Sequence, residues 1–281
     1  MTGKIVRIIS NLYTVSSDNK EYLCRARGKF RSDKLTPLVG DIVEFDEKQN
    51  YILEIKERKN CLTRPTIANV DSCIIVSSCK RPDFSPLLLD KMITNVYLSD
   101  LRPIICFSKY DLMTEEEQYE FNSIIKYYND IGIKAFINTE IDKLMEEIKN
   151  EIVVLTGQTG VGKSTLLNKI NPEFNLATND ISEALGRGKH TTRHVELFPV
   201  GSSLIADTPG FSALDLINED KMNIRFAFPE FENDQCKFSD CKHLGEKGCY
   251  IEEQLKSGEI LPSRYESYKR MMSEWEHQYH F

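Results

Sequence analysis

Apolar residues follow two patterns along the chain, and the switch between them divides it. Over 1–63 they come in short bursts rich in Val, Ile, Tyr and Phe, at 3–10, 12–16, 21–27, 40–46 and 51–56. Turn formers stand between the bursts: Ser17-Asp18-Asn19, Thr36-Pro37 and Glu47-Lys48-Gln49-Asn50. Five short strands in about 60 residues predict a small barrel such as the OB-fold. From 66 the pattern changes. Continuous apolar runs at 72–77, 104–107, 134–137 and 152–155 read as strands buried on both faces. Between them lie stretches with helical spacing: 85–98 (Leu88, Met92 and Val96, with Leu89 and Ile93 beside them), 115–129 and 141–149. A helix at 166–170 follows the last of these strands. The alternation predicts a mainly parallel α/β sheet with ligand loops at the strand C-termini. Two further strands, 195–200 and 203–206, are joined at Gly201. Beyond them 220–231 and 262–278 read as helices, the latter with Tyr265, Tyr268, Met272 and Trp275 on one stripe that reads as core. The expected fold is multidomain: an OB-like barrel over 1–64, an α/β nucleotide-binding domain over 65–216 and a helical domain over 217–281.

Composition narrows the class. With 281 residues, 41% apolar and 28% charged, the chain is long enough for two or three globular domains. No apolar run approaches the roughly 20 residues of a membrane span. Met1-Thr2-Gly3-Lys4 lacks the apolar core of a signal peptide, so a cytoplasmic location is expected. Eight cysteines in such a chain are thiols or metal ligands rather than a disulfide framework. The net charge of −7 opposes wholesale wrapping of nucleic acid, yet residues 1–64 hold 13 Lys/Arg against 9 Asp/Glu, leaving 23 against 34 for the rest. A basic N-terminal module on an acidic body suggests a polyanion partner. Arg25, Arg27, Lys29, Arg31 and Lys34 cluster there around Phe30. On a strand, 25, 27, 29 and 31 share a face that could follow an RNA backbone while the aromatic ring stacks a base. The alternative is a solvated face of a half-buried sheet.

The strongest chemical signal is Gly157-Gln158-Thr159-Gly160-Val161-Gly162-Lys163-Ser164-Thr165 between the strand at 152–155 and the helix at 166–170. Strand, G-x-x-x-x-G-K-S, helix is the setting of a phosphate-binding loop. The glycines let backbone N–H groups face a phosphate, and the helix N-terminus adds partial positive charge. Lys163 reaches the β- and γ-phosphates, and the Ser164 hydroxyl ligates Mg²⁺. Farther on, the strand at 203–206 ends in Asp207-Thr208-Pro209-Gly210. An acidic residue there holds the Mg²⁺ shell, and Gly210 offers an N–H to the γ-phosphate. Between the two motifs, 179–193 is poor in apolar residues and reads as a mobile loop containing Gly186-Arg187-Gly188-Lys189-His190-Thr191-Thr192.

These phosphate-side motifs resemble those of GTPases. The base-reading motif, usually N-K-x-D, normally follows them. Its nearest match here, Ser108-Lys109-Tyr110-Asp111, precedes the phosphate loop, an order similar to that of the circularly permuted GTPases. The resemblance implies that Asp111 accepts from the guanine N1 and N2 hydrogens and that Lys109 packs over the base. Ser108 stands in place of the usual Asn, whose amide helps hold the base loop against the phosphate loop. Asn138-Thr139 falls where the weaker second base loop is expected.

Near the C-terminus, Cys236-x4-Cys241-x-His243-x5-Cys249 offers three thiolates and one imidazole within 14 residues. That set suits tetrahedral Zn²⁺ with no open position, a structural site. Phe238-Ser239-Asp240 and Gly245-Glu246-Lys247-Gly248 supply the turns. The other cysteines (Cys24, Cys61, Cys73, Cys79, Cys106) read as core. A small barrel, a permuted GTPase domain and a Cys-rich helical tail together resemble the ribosome small-subunit-dependent GTPase A family, the RsgA or YjeQ type, over nearly the whole chain. The resemblance implies a factor in late maturation of the small (30S) ribosomal subunit that contacts its rRNA. Its weak GTPase, turning GTP into GDP and phosphate, is stimulated by the subunit.

Hydrolysis needs an in-line water, neutralised phosphates and Mg²⁺. Either Thr191 or Thr192 supplies a second hydroxyl to the metal. The water-positioning Gln that many GTPases carry after D-x-x-G is Phe211 here, and a phenyl ring cannot orient water. Slow intrinsic turnover is therefore expected, with His190 and Arg187 as candidate catalytic groups; an exposed histidine or an RNA contact is the other reading of His190. Two alternatives stand beside the GTPase: a nucleotide-gated rRNA-binding module with incidental hydrolysis, and an ATP-using enzyme, which Asp111 opposes. A monomer is expected.

Overall fold

A computed structural model of the chain describes all residues except 29, 31–34, 64, 175–194, 208–220, 233–234 and 280–281. The strands in chain order are β1 (Thr2–Ile9), β2 (Leu12–Ser17), β3 (Lys20–Ala26), β4 (Ile42–Asp46), β5 (Tyr51–Ile55), β6 (Cys61–Thr63), β7 (Thr66–Ala68), β8 (Ser72–Ser78), β9 (Arg102–Ser108), β10 (Lys134–Ile137), β11 (Ile152–Thr156), β12 (Glu196–Val200) and β13 (Ser203–Asp207). The helices are α1 (Pro86–Leu98), α2 (Glu115–Asp130), α3 (Ile141–Glu147), α4 (Lys163–Ile170), α5 (Lys221–Phe226), α6 (Tyr250–Ser257) and α7 (Pro262–Tyr279). They gather into two compact units, 1–74 with 139–213 and 75–138 with 214–281.

In the first unit β1–β5 form the expected barrel. β1, β2 and β3 are antiparallel neighbours, β3 runs parallel to β5, β5 pairs with β4, and β4 returns to β1. Closure leaves no open sheet edge. Alternate side chains point inward, so Ile5, Tyr13, Val15, Cys24, Val43, Phe45 and Ile52 form the core. Phe30 joins them, which overturns its reading as a base-stacking ring: it is 7% exposed. β3 also stops at Ala26, so Arg25 and Arg27 do not share one strand face. Gly40, at φ +91°, is required where the chain passes β7, because a Cβ would stand 2.0 Å from the Ala68 oxygen. The β6–β7 hairpin escapes the sequence pattern because three-residue strands show no period. In the same unit β11 runs parallel to β13, β12 is antiparallel to β13, and β12 pairs with β1 through Arg7 and Glu196.

The second unit holds β9 and β10, parallel in the register Ile104 to Lys134. α1 starts at Pro86 with Ser85 as its cap, and α2 starts with a Thr114–Glu117 capping box. α5 and a short turn at Pro229–Phe231 occupy the span expected as one helix. α6 was not anticipated. Of the stripe on α7, Tyr265, Tyr268 and Met272 are core as expected, buried with Met271 against Phe228 and Phe231, while the side chain of Trp275 lies outside what the structure describes. Arg264, on the same helix, is fully buried. Its guanidinium donates to Asp90 Oδ1 on α1 at 2.7 Å and to both Glu230 oxygens at 2.8 and 3.1 Å. The Tyr128 hydroxyl donates to Asp90 Oδ1 at 2.8 Å, and the Tyr127 hydroxyl to Glu230 at 3.2 Å.

Candidate nucleotide site and metal centre

The phosphate-side motif lies in the first unit. β11 is buried along its length and delivers Gly157 to the start of the loop. Gln158, Thr159 and Gly160 are exposed, Val161 and Ser164 are buried, and Thr165 is exposed on α4. Gly162 caps α4 at φ +99°, a conformation that a side chain would strain. The Lys163 ammonium donates to the Gly157 and Gln158 carbonyls at 2.5 and 2.7 Å, and burial lowers its pKa. The loop thus grips its own lysine, and a phosphate would replace two neutral carbonyls with charged oxygens. Asp207 ends β13. The register Ile152 to Leu204, carried forward, sets it level with Leu155, two residues before Gly157. Ser164, in the first turn of α4, carries a hard oxygen donor of the kind Mg²⁺ takes, while the side chain of Asp207 lies outside what the structure describes.

The base-side motif lies in the second unit. Ser108 is the last residue of β9, 3% exposed, and its hydroxyl donates to the Ser77 oxygen at 3.4 Å. Lys109 follows at φ +57° and donates to the Arg81 carbonyl. Asp111 is exposed on the 3₁₀ turn Tyr110–Leu112. Asn138 follows the neighbouring strand β10, and its N–H donates to the Phe107 oxygen at 2.8 Å.

The sequence-predicted metal ligands come together. One ligand atom from each of Cys236, Cys241, His243 and Cys249 lies within 4.8 Å of the others. His243 Nδ1 is 3.5 Å from the sulfurs of both Cys236 and Cys249, which are 4.0 Å apart. Bonds of about 2.3 Å to sulfur and 2.0–2.1 Å to nitrogen at tetrahedral angles require edges of about 3.8 and 3.6 Å. The four residues therefore fit a structural zinc ion, with Nδ1 as the imidazole ligand. The Tyr250 N–H donates to Cys236 sulfur at 3.2 Å. Glu246 accepts from the N–H groups of Lys242 and Leu244 on either side of His243, at 3.0 and 2.7 Å. Tyr265 and Tyr268 on α7 donate to the carbonyls of His243 and Lys242 at 2.8 and 2.7 Å. The stripe read only as core thus also orients the ligand loop. Burial pushes the Cys241 thiol up to about 12. A bound metal reverses that preference and holds the thiolate.

His190, Thr191, Thr192, Arg187, Gly210 and Phe211 lie outside the described residues, as do Lys29, Arg31 and Lys34. Arg25 and Arg27 are exposed. Of the cysteines read as core, Cys24, Cys73, Cys79 and Cys106 are buried, but Cys61 is exposed, on the opposite face of β6 from the buried Leu62. The buried set Arg264, Asp90 and Glu230 escaped sequence reading; an arginine one turn before Tyr268 on an apolar stripe was the available signal. Among the described residues no helix is long and apolar enough to cross a membrane.

Family models match twice: RsgA N-terminal domain over residues 2–52 and RsgA GTPase over 55–217. "Small ribosomal subunit biogenesis GTPase RsgA" of Halalkalibacterium halodurans is 45% identical over 97% of this chain and 96% of its own. The protein of the same name from a Geobacillus species is 46% identical over the same shares. Among solved structures, YloQ, described as a circularly permuted GTPase, superposes with a TM-score of 0.84 at 34% identity, covering 99% of this chain and 95% of its own. YjeQ from Thermotoga maritima gives 0.83 at 34% identity, covering 97% of each. Barrel, permuted motif order and Cys₃His cluster agree with these matches, and the chain belongs to the RsgA GTPase family of GTP hydrolases.

Proposed function

We propose that this chain hydrolyses GTP to GDP and phosphate, binds the small (30S) ribosomal subunit and acts in its late maturation, with weak intrinsic turnover that the subunit stimulates. The observation that carries this reading is the match over 97% of the chain to relatives named for small-subunit biogenesis. In this reading Lys163 and the N–H groups of residues 157–165 hold the phosphates. Ser164, Asp207 and Thr191 or Thr192 hold Mg²⁺, which neutralises charge developing on the phosphate oxygens. Asp111 and Lys109 read guanine, with Ser108 closing the base loop. His190 and the threonines beside it order around the γ-phosphate and are released by hydrolysis. Arg25, Arg27, Lys29, Arg31 and Lys34 contact rRNA phosphates, consistent with the exposure of Arg25 and Arg27. The protein works as a cytoplasmic monomer.

Phe211 in place of a water-positioning Gln favours a second reading, a nucleotide-gated rRNA-binding module with incidental hydrolysis. GTP turnover alone and with purified small subunits separates the two, with Lys163→Ala as the blank. Stimulation of about a hundredfold, the scale of one well-placed catalytic group, is expected. Nucleotide-dependent subunit binding without stimulation would favour the gated module. Absence of both would remove the ribosomal reading.

A further inference from the structure

Asp111 sits on a single 3₁₀ turn, and both ends of that turn are tied to one segment, residues 77–84. On the N-terminal side the Cys79 N–H donates to the Ser108 oxygen at 2.9 Å. The Ser108 hydroxyl donates to the Ser77 oxygen, and the Lys109 ammonium to the Arg81 carbonyl. On the C-terminal side Glu117 Oε2 accepts from the Thr114 N–H at 2.7 Å and from the Lys80 ammonium at 2.6 Å. One carboxylate oxygen therefore caps α2 and receives the segment. The Ser78 hydroxyl donates to the Lys80 carbonyl at 2.6 Å, which fixes the start of the segment. Beneath the turn, the Phe84 ring meets Phe107 edge-on at 5.8 Å and Phe121 at 5.0 Å, and those two meet at 4.9 Å. Phe107 immediately precedes Ser108 on β9, and Phe121 lies on α2.

We propose that residues 77–84 set the guanine selectivity of this GTPase, with Lys80 and Phe84 as positioning residues for Asp111. The inference rests on the reading of Asp111 as the guanine acceptor. A carboxylate that accepts two N–H bonds from one base edge is sensitive to the direction of its approach. The Ser108 hydroxyl is engaged by the Ser77 carbonyl of β8. The turn is held from the side, through the ammonium of Lys80 and the ring of Phe84. A shift of the turn weakens only the bonds to the base; the phosphates are held by a separate loop.

The test compares affinities of the full-length, zinc-loaded chain for GDP and inosine diphosphate, which lacks the N2 amino group that would donate to Asp111. Lys80→Met is expected to lower the GDP to inosine diphosphate preference by about tenfold, the scale of one hydrogen bond to a charged group, with a smaller loss of inosine diphosphate affinity through the N1 bond that it retains. Lys80→Arg is expected to restore it. An unchanged preference, or an equal loss for both nucleotides, overturns the proposal. Asp111→Asn checks the underlying reading separately. Its amide N–H can donate to the C2 carbonyl of xanthine, so preference should move to xanthosine diphosphate. If it does not, the guanine reading fails; if it does while Lys80→Met keeps its selectivity, only the role of residues 77–84 fails. Should Lys80→Met not fold by circular dichroism, Phe84→Leu carries the same comparison.

Discussion

Arg264 is the largest fully buried side chain among the described residues, and it faces two carboxylates. A buried ion pair contributes little net stability, but removing one partner leaves charge in a medium that solvates it badly. Arg264→Met is therefore expected to cost about 3–5 kcal/mol, measured by urea unfolding. Its pH dependence follows from Asp90, whose carboxyl burial raises above the usual range while Arg264 opposes the rise. Without the guanidinium the folded value climbs further. The folded state then binds more protons than the unfolded one, and stability falls as pH rises between the two values. The deficit of Arg264→Met should accordingly be smaller at pH 5 than at pH 8. An equal deficit at both would remove the uncompensated carboxylate as its cause. Sequence reading reached the residues whose chemistry needs a local pattern, such as Lys163 and the zinc ligands. It could not reach Arg264, whose partners are 34 and 174 residues away.

At the scale of elements, local rules were legible where hydrogen bonds close within a few residues. The T-x-x-E box opens α2 where the pattern puts a helix start, and the phosphate loop caps α4 through Gly162. Rules failed where a strand end depends on distant packing. The basic stretch after Arg25 looks like continued strand, yet Phe30 contributes more inside the barrel than on its surface. The ligand loop 236–249 has little regular structure: its order comes from Glu246, the two tyrosines of α7 and the metal. Cys241→Ala is expected to reduce bound zinc from about one ion per chain to near none, read by a colorimetric zinc assay after proteolysis. In hydrogen exchange the same variant should lose protection over 236–249 and at Tyr265 while the barrel strands keep theirs. Uniform loss would show that the metal stabilises more than its own loop.

For the whole molecule, each compact unit is assembled from two separate stretches of the chain. The tail from 214 packs with 75–138, and α7 meets α1 through Arg264, Asp90 and the aromatic residues around them. A chain ending at residue 216 would leave Asp90 and the apolar face of α1 in water. That truncation is expected to aggregate or to lose the cooperative unfolding step of the second unit in differential scanning calorimetry, even though it retains every nucleotide motif. A soluble chain with that step intact would show that the tail adds nothing to the unit's stability.

The sequence by itself determined the barrel, the permuted order of the nucleotide motifs and the four metal ligands. Each is written in short-range spacing: period-two strands, a loop between strand and helix, Cys and His a few residues apart. Tertiary structure alone decided that Phe30 turns inward, that Lys80 meets Glu117 and Phe84 meets Phe107, and that Arg264 ties α7 to α1. Those outcomes depend on which distant side chains desolvate a charge or fill a gap, and no local period encodes that pairing.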